Sequence, residues 1–213
     1  MDIVLWCWDF LVHIDAHLAQ LLQQYGAWMY VILFAIVFCE TGLVITPFLP
    51  GDSLLFIAGA LWASAGMDIH ALMLALVVAA ILGDALNYAI GRTLGPRVFQ
   101  WEQSRWFNRR ALDHTHAFYL RHGGKTIIIA RFVPLVRTFA PFVAGIGAMP
   151  YRRFLVFNVV GALIWVALLL YAGYFFGNLP AVKRHLSVVI FGIIGVSLLP
   201  IVVSTWRARR RGA

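Results

Sequence analysis

The sequence predicts an all-α, polytopic membrane protein built around two opposed re-entrant broken-helix hairpins that form an inverted repeat. Three observations carry that prediction. The 213-residue chain is 62% apolar and only 12% charged, against about 45–50% and about 25% in soluble domains. Charge-free runs from Ala16 to Cys39, Phe154 to Val182 and Leu186 to Trp206 are each long enough to cross a hydrocarbon core about 30 Å thick, which takes about 20 helical residues. Two further apolar segments are broken by prolines and carry charges, an arrangement that lipid tolerates only where the backbone is buried in protein or lines a wet cavity.

Charge placement reads as topology, not as a nucleic-acid surface. The net charge of +8 is spread between and after apolar runs: residues 92–125 hold seven basic and two acidic side chains, and the tail 207–213 holds Arg207, Arg209, Arg210 and Arg211. The positive-inside rule puts both in the cytoplasm. Lys183 and Arg184 oppose that assignment, and the larger counts outweigh them. Residues 1–15 do not form a cleavable signal, because Asp2 and Asp9 stand where a basic region is needed and no small-x-small site follows. They are expected to lie in the interface, with Trp6 and Trp8 at headgroup depth. Cys7 and Cys39, both in apolar surroundings, are expected to be buried thiols outside any disulfide or metal site.

Along the chain, taken as one membrane domain over 1–213, a first span runs from Ala16 to Cys39 and ends at Glu40. Hairpin 1 occupies 41–66. Gly42, Pro47, Pro50 and Gly51 interrupt it, since each proline removes a donor and clashes with the preceding turn, and Leu54–Ala65 is too short to span. A second span, Ile69–Gly91, is interrupted by Asp84 and Asn87. The cytoplasmic loop 92–125 follows, with an amphipathic helix in which Leu112, Thr115, Phe118 and Tyr119 oppose Arg109, Arg110, Asp113 and His116. Hairpin 2, over 126–150, carries Arg131, Pro134, Arg137 and Pro141, and two spans complete the chain.

The two hairpins share short blocks. Phe48-Leu49-Pro50 matches Phe132-Val133-Pro134, and Phe56-Ile57-Ala58-Gly59 matches Phe142-Val143-Ala144-Gly145, with the polar pairs Asp52-Ser53 and Arg137-Thr138 between them. Counted from a cytoplasmic C-terminus, one hairpin enters from each side, the logic of transporters whose broken segments meet near the midplane.

Glu40, Asp52, Arg131 and Arg137 lie in these broken segments and sum to zero charge. A charge at a helix centre costs roughly 2.5–3.5 kcal/mol on insertion scales. The structural reading makes Asp52 a cap for the helix near Ser53 and the arginines counter-ions. The functional reading gives Arg131 and Arg137, whose planar forks suit phosphate, to an anionic headgroup, and Glu40 and Asp52 to proton coupling. Helix N-termini after Pro50 and Pro141 would add backbone donors. Asp84, Asn87, Ser53 and Thr138 are pathway candidates, Asp84 and Asn87 alternatively serving to pair with Arg92. Tyr88-x-x-Gly91 and Tyr174-x-x-Gly177 suit close helix packing. Asp113, His114, His116 and His122 lack metal-ligand spacing, and His13, His17 and His185 sit near span ends. No metal and no cofactor are expected.

These residues carry a resemblance: Glu40-x-Gly42, Pro47-x-x-Pro50-Gly51-Asp52-Ser53, Gly83-Asp84-x-x-Asn87-Tyr88, Arg131-Phe132-Val133-Pro134-x-x-Arg137-Thr138 and Pro141-x-x-Ala144-Gly145. Together they resemble the DedA family of bacterial inner-membrane proteins, related to the eukaryotic VTT-domain (SNARE-associated) lipid scramblases, over nearly the whole chain and with no departure at the motif positions. The resemblance implies opposed re-entrant hairpins, lipid movement between leaflets with undecaprenyl phosphate among the substrates, and links to proton-motive force, the cell envelope and cell division. It also implies functional importance for Glu40, Asp52, Arg131 and Arg137.

The leading expectation is therefore a translocase or scramblase of anionic lipids in the bacterial inner membrane, moving undecaprenyl phosphate and possessing a route to protons. A general phospholipid scramblase and a proton-coupled transporter of a small soluble ion or drug use the same charges. An enzyme is disfavoured, because hydrolysis wants a histidine or metal-bound nucleophile and all seven histidines lie outside the broken segments. The partners are membrane lipids and protons, and a homodimer is compatible with the sequence.

Overall fold

The computed structural model describes residues 20–22, 24–43, 51–98, 125–132, 134–180, 182 and 192. Regular structure among them is helical: α1 (Trp28–Gly42), α2 (Gly51–Ala65), α3 (Ile69–Val98), α4 (Lys125–Ala130), α5 (Pro134–Ile146) and α6 (Tyr151–Phe176). The segment 1–15, Pro47, Pro50, the surface helix around Leu112–Tyr119, nearly all of the last span and the tail 207–213 lie outside the described residues.

Two of these helices, over Ile69–Leu94 and Tyr151–Phe176, are long and apolar enough to cross a membrane. Their exposure is inverted relative to a soluble protein. Leu74, Leu82, Val156, Leu163 and Leu168 face outward while Glu40, Asp84, Asn87, Arg131 and Asn158 are buried. Apolar surface of this extent, with polar groups inside, suits a lipid solvent.

Several expected boundaries move. The first span is interrupted at Gly26, whose φ of 51° opens a turn that only glycine adopts cheaply, and the helix that follows runs beyond Cys39 to Gly42. The second span does not stop at Gly91 but continues to Val98, taking the first residues of the expected loop 92–125. Cys39 is exposed, not buried, so its apolar neighbours mark an outward face of α1.

The second broken segment is a helix–turn–helix. α4 ends at Ala130, Arg131 and Phe132 form a turn closed by their amides on Ile128 O (3.3 Å) and Ile129 O (3.2 Å), and α5 starts at Pro134. Proline suits a first helical position because that amide has no helical partner anyway. Pro141, expected to break the backbone, instead lies inside α5. It withholds the amide that would bond the Arg137 carbonyl, and the helix absorbs that single loss. Arg137 thus projects from a helix, and the donor-rich N-terminus lies at Pro134 and not after Pro141.

The chain divides into two compact units, one of residues 1–35, 50–76 and 166–213, the other of 36–49 and 77–165. Each contains the same packing device. In the first unit, a Cβ on Gly59 of α2 would collide with Leu170 O of α6, and one on Gly173 of α6 with Phe56 O of α2. In the second, a Cβ on Gly145 of α5 would collide with Tyr88 O of α3, and one on Gly91 with Phe142 O. Every glycine follows by three residues the carbonyl that faces the partner's glycine. Bare Cα atoms let the backbones approach, as small residues do between membrane helices. The matched blocks Phe56–Gly59 and Phe142–Gly145 therefore do the same work in their own units. The Tyr88-x-x-Gly91 and Tyr174-x-x-Gly177 pairs also serve close packing, Gly177 lying against Ala60.

Polar closures reinforce each unit. In the first, Ser64 Oγ donates to Asn178 Oδ1 (2.6 Å), Asn178 Nδ2 donates to Ala60 O (2.9 Å), and Tyr30 meets Trp62 edge to face at 5.2 Å. In the second, Tyr88 donates its hydroxyl to Met149 O and stacks on Phe154 at 4.5 Å. Replacing Gly91 or Gly173 by Ala should lower thermal stability by about 1–3 kcal/mol through overpacking, despite the roughly 1 kcal/mol that Ala gains in helix propensity. Gly192→Ala, where nothing lies within 4 Å, is the control. Monodisperse fraction after heating in detergent reads the difference, and equal curves for all three would refute the packing account.

Candidate functional site

The second unit gathers side chains from four helices and the α4–α5 turn. α1 contributes Glu40 and Thr41, α3 contributes Asp84 and Asn87, the turn contributes Arg131, α5 contributes Arg137 and Thr138, and α6 contributes Asn158 and Trp165. Arg131 enters from the break between α4 and α5, whereas the others project from the buried faces of their helices.

Two ion pairs form the centre. Arg137 Nη2 meets Glu40 Oε1, with side chains 11% and 4% exposed, and Arg131 Nη2 meets Asp84 Oδ2, at 5% and 6%. Arg131 Nη2 also donates to Asn158 Oδ1. Both guanidinium carbons stand over the Trp165 ring, Arg131 at 6.0 Å and Arg137 at 5.1 Å from its centroid, where the negative face of the indole favours a cation. Such pairing is what burial demands, since the desolvation of an unpaired ion costs several kcal/mol.

Asn87 ties the end of α1 to α5. Fully buried, it donates through Nδ2 to Thr41 O at 3.2 Å and Thr138 O at 2.8 Å. Thr41 itself turns its hydroxyl back to Val37 O at 2.9 Å, satisfying a carbonyl of its own helix. Gly83, one turn before Asn87 on α3, lies bare against Phe38 O and the Gly42 amide, which brings α1 close enough for the Thr41 contact.

Glu40, Thr41, Asp84, Arg131, Arg137, Thr138 and Trp165 line a cavity with about 10 Å³ of room for a water centre, enough for about one water. A lipid headgroup does not fit this state. An anion could enter only by displacing a carboxylate or parting the helices.

The sequence-derived candidates fall into three groups. Glu40, Arg131, Arg137, Asp84, Asn87 and Thr138 come together in this cluster. Asp52 and Ser53 belong to the first unit, on the first turn of α2, where Asp52 is partly buried and Ser53 fully buried. Asp52 sits inside the helix and not at its cap, and a carboxylate there is favoured by the helix dipole. Gly51 opens α2 and Pro134 opens α5. Pro47 and Pro50 are outside the described residues. Asp84 does not pair with Arg92, which instead donates to the Tyr88 hydroxyl at 3.2 Å. Asn158 and Trp165 went unread. Asn158 did leave a signal, a lone amide in an otherwise apolar span, whereas Trp165 is one aromatic among many.

Asp84→Asn alone strands the Arg131 charge in an apolar interior and should cost about 3–5 kcal/mol of stability. Asp84→Asn combined with Arg131→Gln removes both charges and should recover most of that loss. Thermal unfolding of the purified single and double variants checks it, and a double variant as unstable as the sum of its singles would reject the pairing.

Comparison with known proteins identifies the family. A family model described as the VTT domain matches residues 49–175. The chain is 56% identical over 215 aligned residues to Protein DedA of Escherichia coli K12, covering 100% of this chain and 98% of that protein. An uncharacterized membrane protein of Mycobacterium leprae is 45% identical over 82% of this chain and 78% of its own length. The inner membrane protein YghB of Escherichia coli K12 is 38% identical over 85% and 80%. No solved structure matches. Matched by the domain model over more than half its length and by a relative from end to end, the chain belongs to the DedA family of VTT-domain membrane proteins.

Proposed function

We propose that this chain translocates anionic lipids between the leaflets of a bacterial inner membrane, with a polyprenyl phosphate such as undecaprenyl phosphate as its substrate and protons as the coupled species. The observation that carries this reading is the Glu40–Arg137 pair beside the Asp84–Arg131 pair, three buried charges and the partly buried Arg137 on one small cavity. A neutral cluster of this kind can take a phosphate in place of a carboxylate on Arg137 if the displaced carboxylate takes up a proton, which offsets part of the added negative charge. Arg137 takes the headgroup and Arg131 supplies positive charge beside it. A proton on Glu40 weakens its hold on Arg137, which links headgroup capture to protonation. Asp52, in the first unit, is the second coupling candidate, and Thr138 and Asn87 border the route.

The recurrent glycine device supports an inverted repeat of two re-entrant hairpins, and the arginines of the tail 207–213 support a cytoplasmic C-terminus. Relatives named as inner membrane proteins support the location. Phospholipid scrambling is the nearest alternative, since it needs the same polar route and no preference for a phosphate monoester.

Cysteines introduced at Ser64 and Asp68 should label from outside, and at Gly123 and Tyr151 from inside; labelling of Tyr151 from outside would refute the re-entrant arrangement. In liposomes, purified protein should move polyprenyl phosphate faster with a pH gradient than without. Arg137→Lys keeps the charge and loses the fork, so it should weaken headgroup affinity roughly 10- to 100-fold, the value of a charge-assisted hydrogen bond of about 1.5–3 kcal/mol. Glu40→Gln or Asp52→Asn should abolish the gradient dependence while exchange without a gradient persists. Near-wild-type transport by the lysine variant would leave Arg137 as a counter-ion only.

A further inference from the structure

We propose that Arg131 is a positioning residue and not a headgroup ligand, and that Asn158 and Gly161 on α6 are the residues that hold it there. The proposal rests on the lipid-phosphate reading above and concerns the division of work within that site. An arginine that receives a phosphate must turn its donors away from the groups that hold them. For Arg131 that movement is blocked on several sides.

The same Nη2 donates to Asp84 and to Asn158, so turning it away strands a buried carboxylate and a buried amide oxygen together. Asn158 cannot follow the guanidinium. Its own Nδ2 donates to Ile81 O on α3 at 3.1 Å, and the residue is completely buried. The shaft of Arg131 lies along bare backbone of α6: a Cβ on Gly161 would stand 3.0 Å from its Cδ and 3.1 Å from its Nε. The strip is free only because residue 161 has no side chain. Beyond it, the guanidinium rests over Trp165.

Arg137 shares that indole, nearer the centroid, on a side chain about twice as exposed as that of Arg131. A fixed positive charge on one ring therefore governs the other. Arg131 repels Arg137 from Asp84 and leaves Glu40 as the carboxylate that yields to the headgroup. On this assignment α6 contributes no ligand to the phosphate, yet Asn158 and Gly161 set where Arg137 stands, and a misplacement on the order of 1 Å can cost about 100-fold in rate.

The test separates binding from turnover. Affinity for farnesyl phosphate is measured on purified protein in detergent, and maximal rate and half-saturating concentration for polyprenyl phosphate are measured in liposomes, for wild type, Asn158→Leu, Gly161→Ala, Arg131→Lys, Arg137→Lys and the double variant Arg131→Lys/Asn158→Leu. Asn158→Leu and Gly161→Ala should each lower the maximal rate about 10-fold or more and leave affinity and half-saturation within about threefold, the pattern of lost positioning and not lost binding. Gly161→Ala serves should the leucine variant fail to elute as a single species. Arg137→Lys should instead weaken affinity. Arg131→Lys and Asn158→Leu should be non-additive in rate, because both undo one restraint.

An Arg131→Lys or Asn158→Leu protein that loses as much affinity as Arg137→Lys would overturn the proposal, as would additive effects in the double variant. Unchanged rate per folded molecule in Asn158→Leu and Gly161→Ala would reduce both to packing and overturn it equally. If the wild type neither binds farnesyl phosphate nor moves polyprenyl phosphate, the translocase reading fails. The restraint on Arg131 is then judged from thermal stability alone, where additive losses for Arg131→Lys and Asn158→Leu overturn it.

Discussion

A buried arginine obliges everything around it. Its charge cannot be removed by deprotonation, so the chain must bring a carboxylate to it or leave it outside the apolar interior. Here two arginines are buried and each meets a carboxylate, Arg131 with Asp84 and Arg137 with Glu40. The partners come from distant sequence, so α3 must approach the α4–α5 turn and α1 must approach α5. The bare glycines allow that closeness: Gly83 lets α1 onto α3, Gly91 and Gly145 let α5 onto α3, and Gly161 lets Arg131 lie on α6. The electrostatic demand thus explains small residues that would otherwise read as mere helix weakening.

Much of this was legible in the sequence, and the parts that were share a physical cause. Prolines and charges violate the rules of a lipid-facing helix, so Glu40, Asp84, Arg131 and Arg137 stood out one by one. The matched Phe-x-Ala-Gly blocks stood out because a glycine that must accept a backbone carbonyl cannot drift. Pairing was not legible. Asp84 lies closer along the chain to Arg92 than to Arg131, and only the fold decides that Arg92 goes to Tyr88 instead.

Pro141 and Asn158 show where local sequence rules give way to packing. Pro141 was read as a break because a proline costs about 3 kcal/mol or more in a helix interior, but α5 is packed along α3 and anchored through Thr138 O, and tertiary contacts override the local penalty. Asn158 was passed over because an uncharged amide scarcely disturbs hydropathy. In an apolar interior, however, an amide must find partners as surely as a charge must. Polar residues inside an apolar run are therefore better ranked by the cost of leaving them unpaired than by their charge.

The proposed translocation site is neutral and nearly closed, and both properties have a physical reason on that proposal. Two unit charges about 4 Å apart are worth about 4 kcal/mol at an effective dielectric constant near 20. On the proposed function, a phosphate arriving at Arg137 gains an interaction of that order while Glu40 loses one and is left buried without it, so the exchange becomes level only when Glu40 takes up a proton. A bare arginine would hold the headgroup too well to release it on the far side, and conduction through any polar site needs binding strong enough to admit and weak enough to discharge. The carboxylate partner then has a role that stability alone would not give it, since a hydrophobic replacement of both partners would hold the helices at least as firmly. On that proposal Glu40 is the competitor that makes release possible, and its proton occupancy would set on which side of the exchange the site rests.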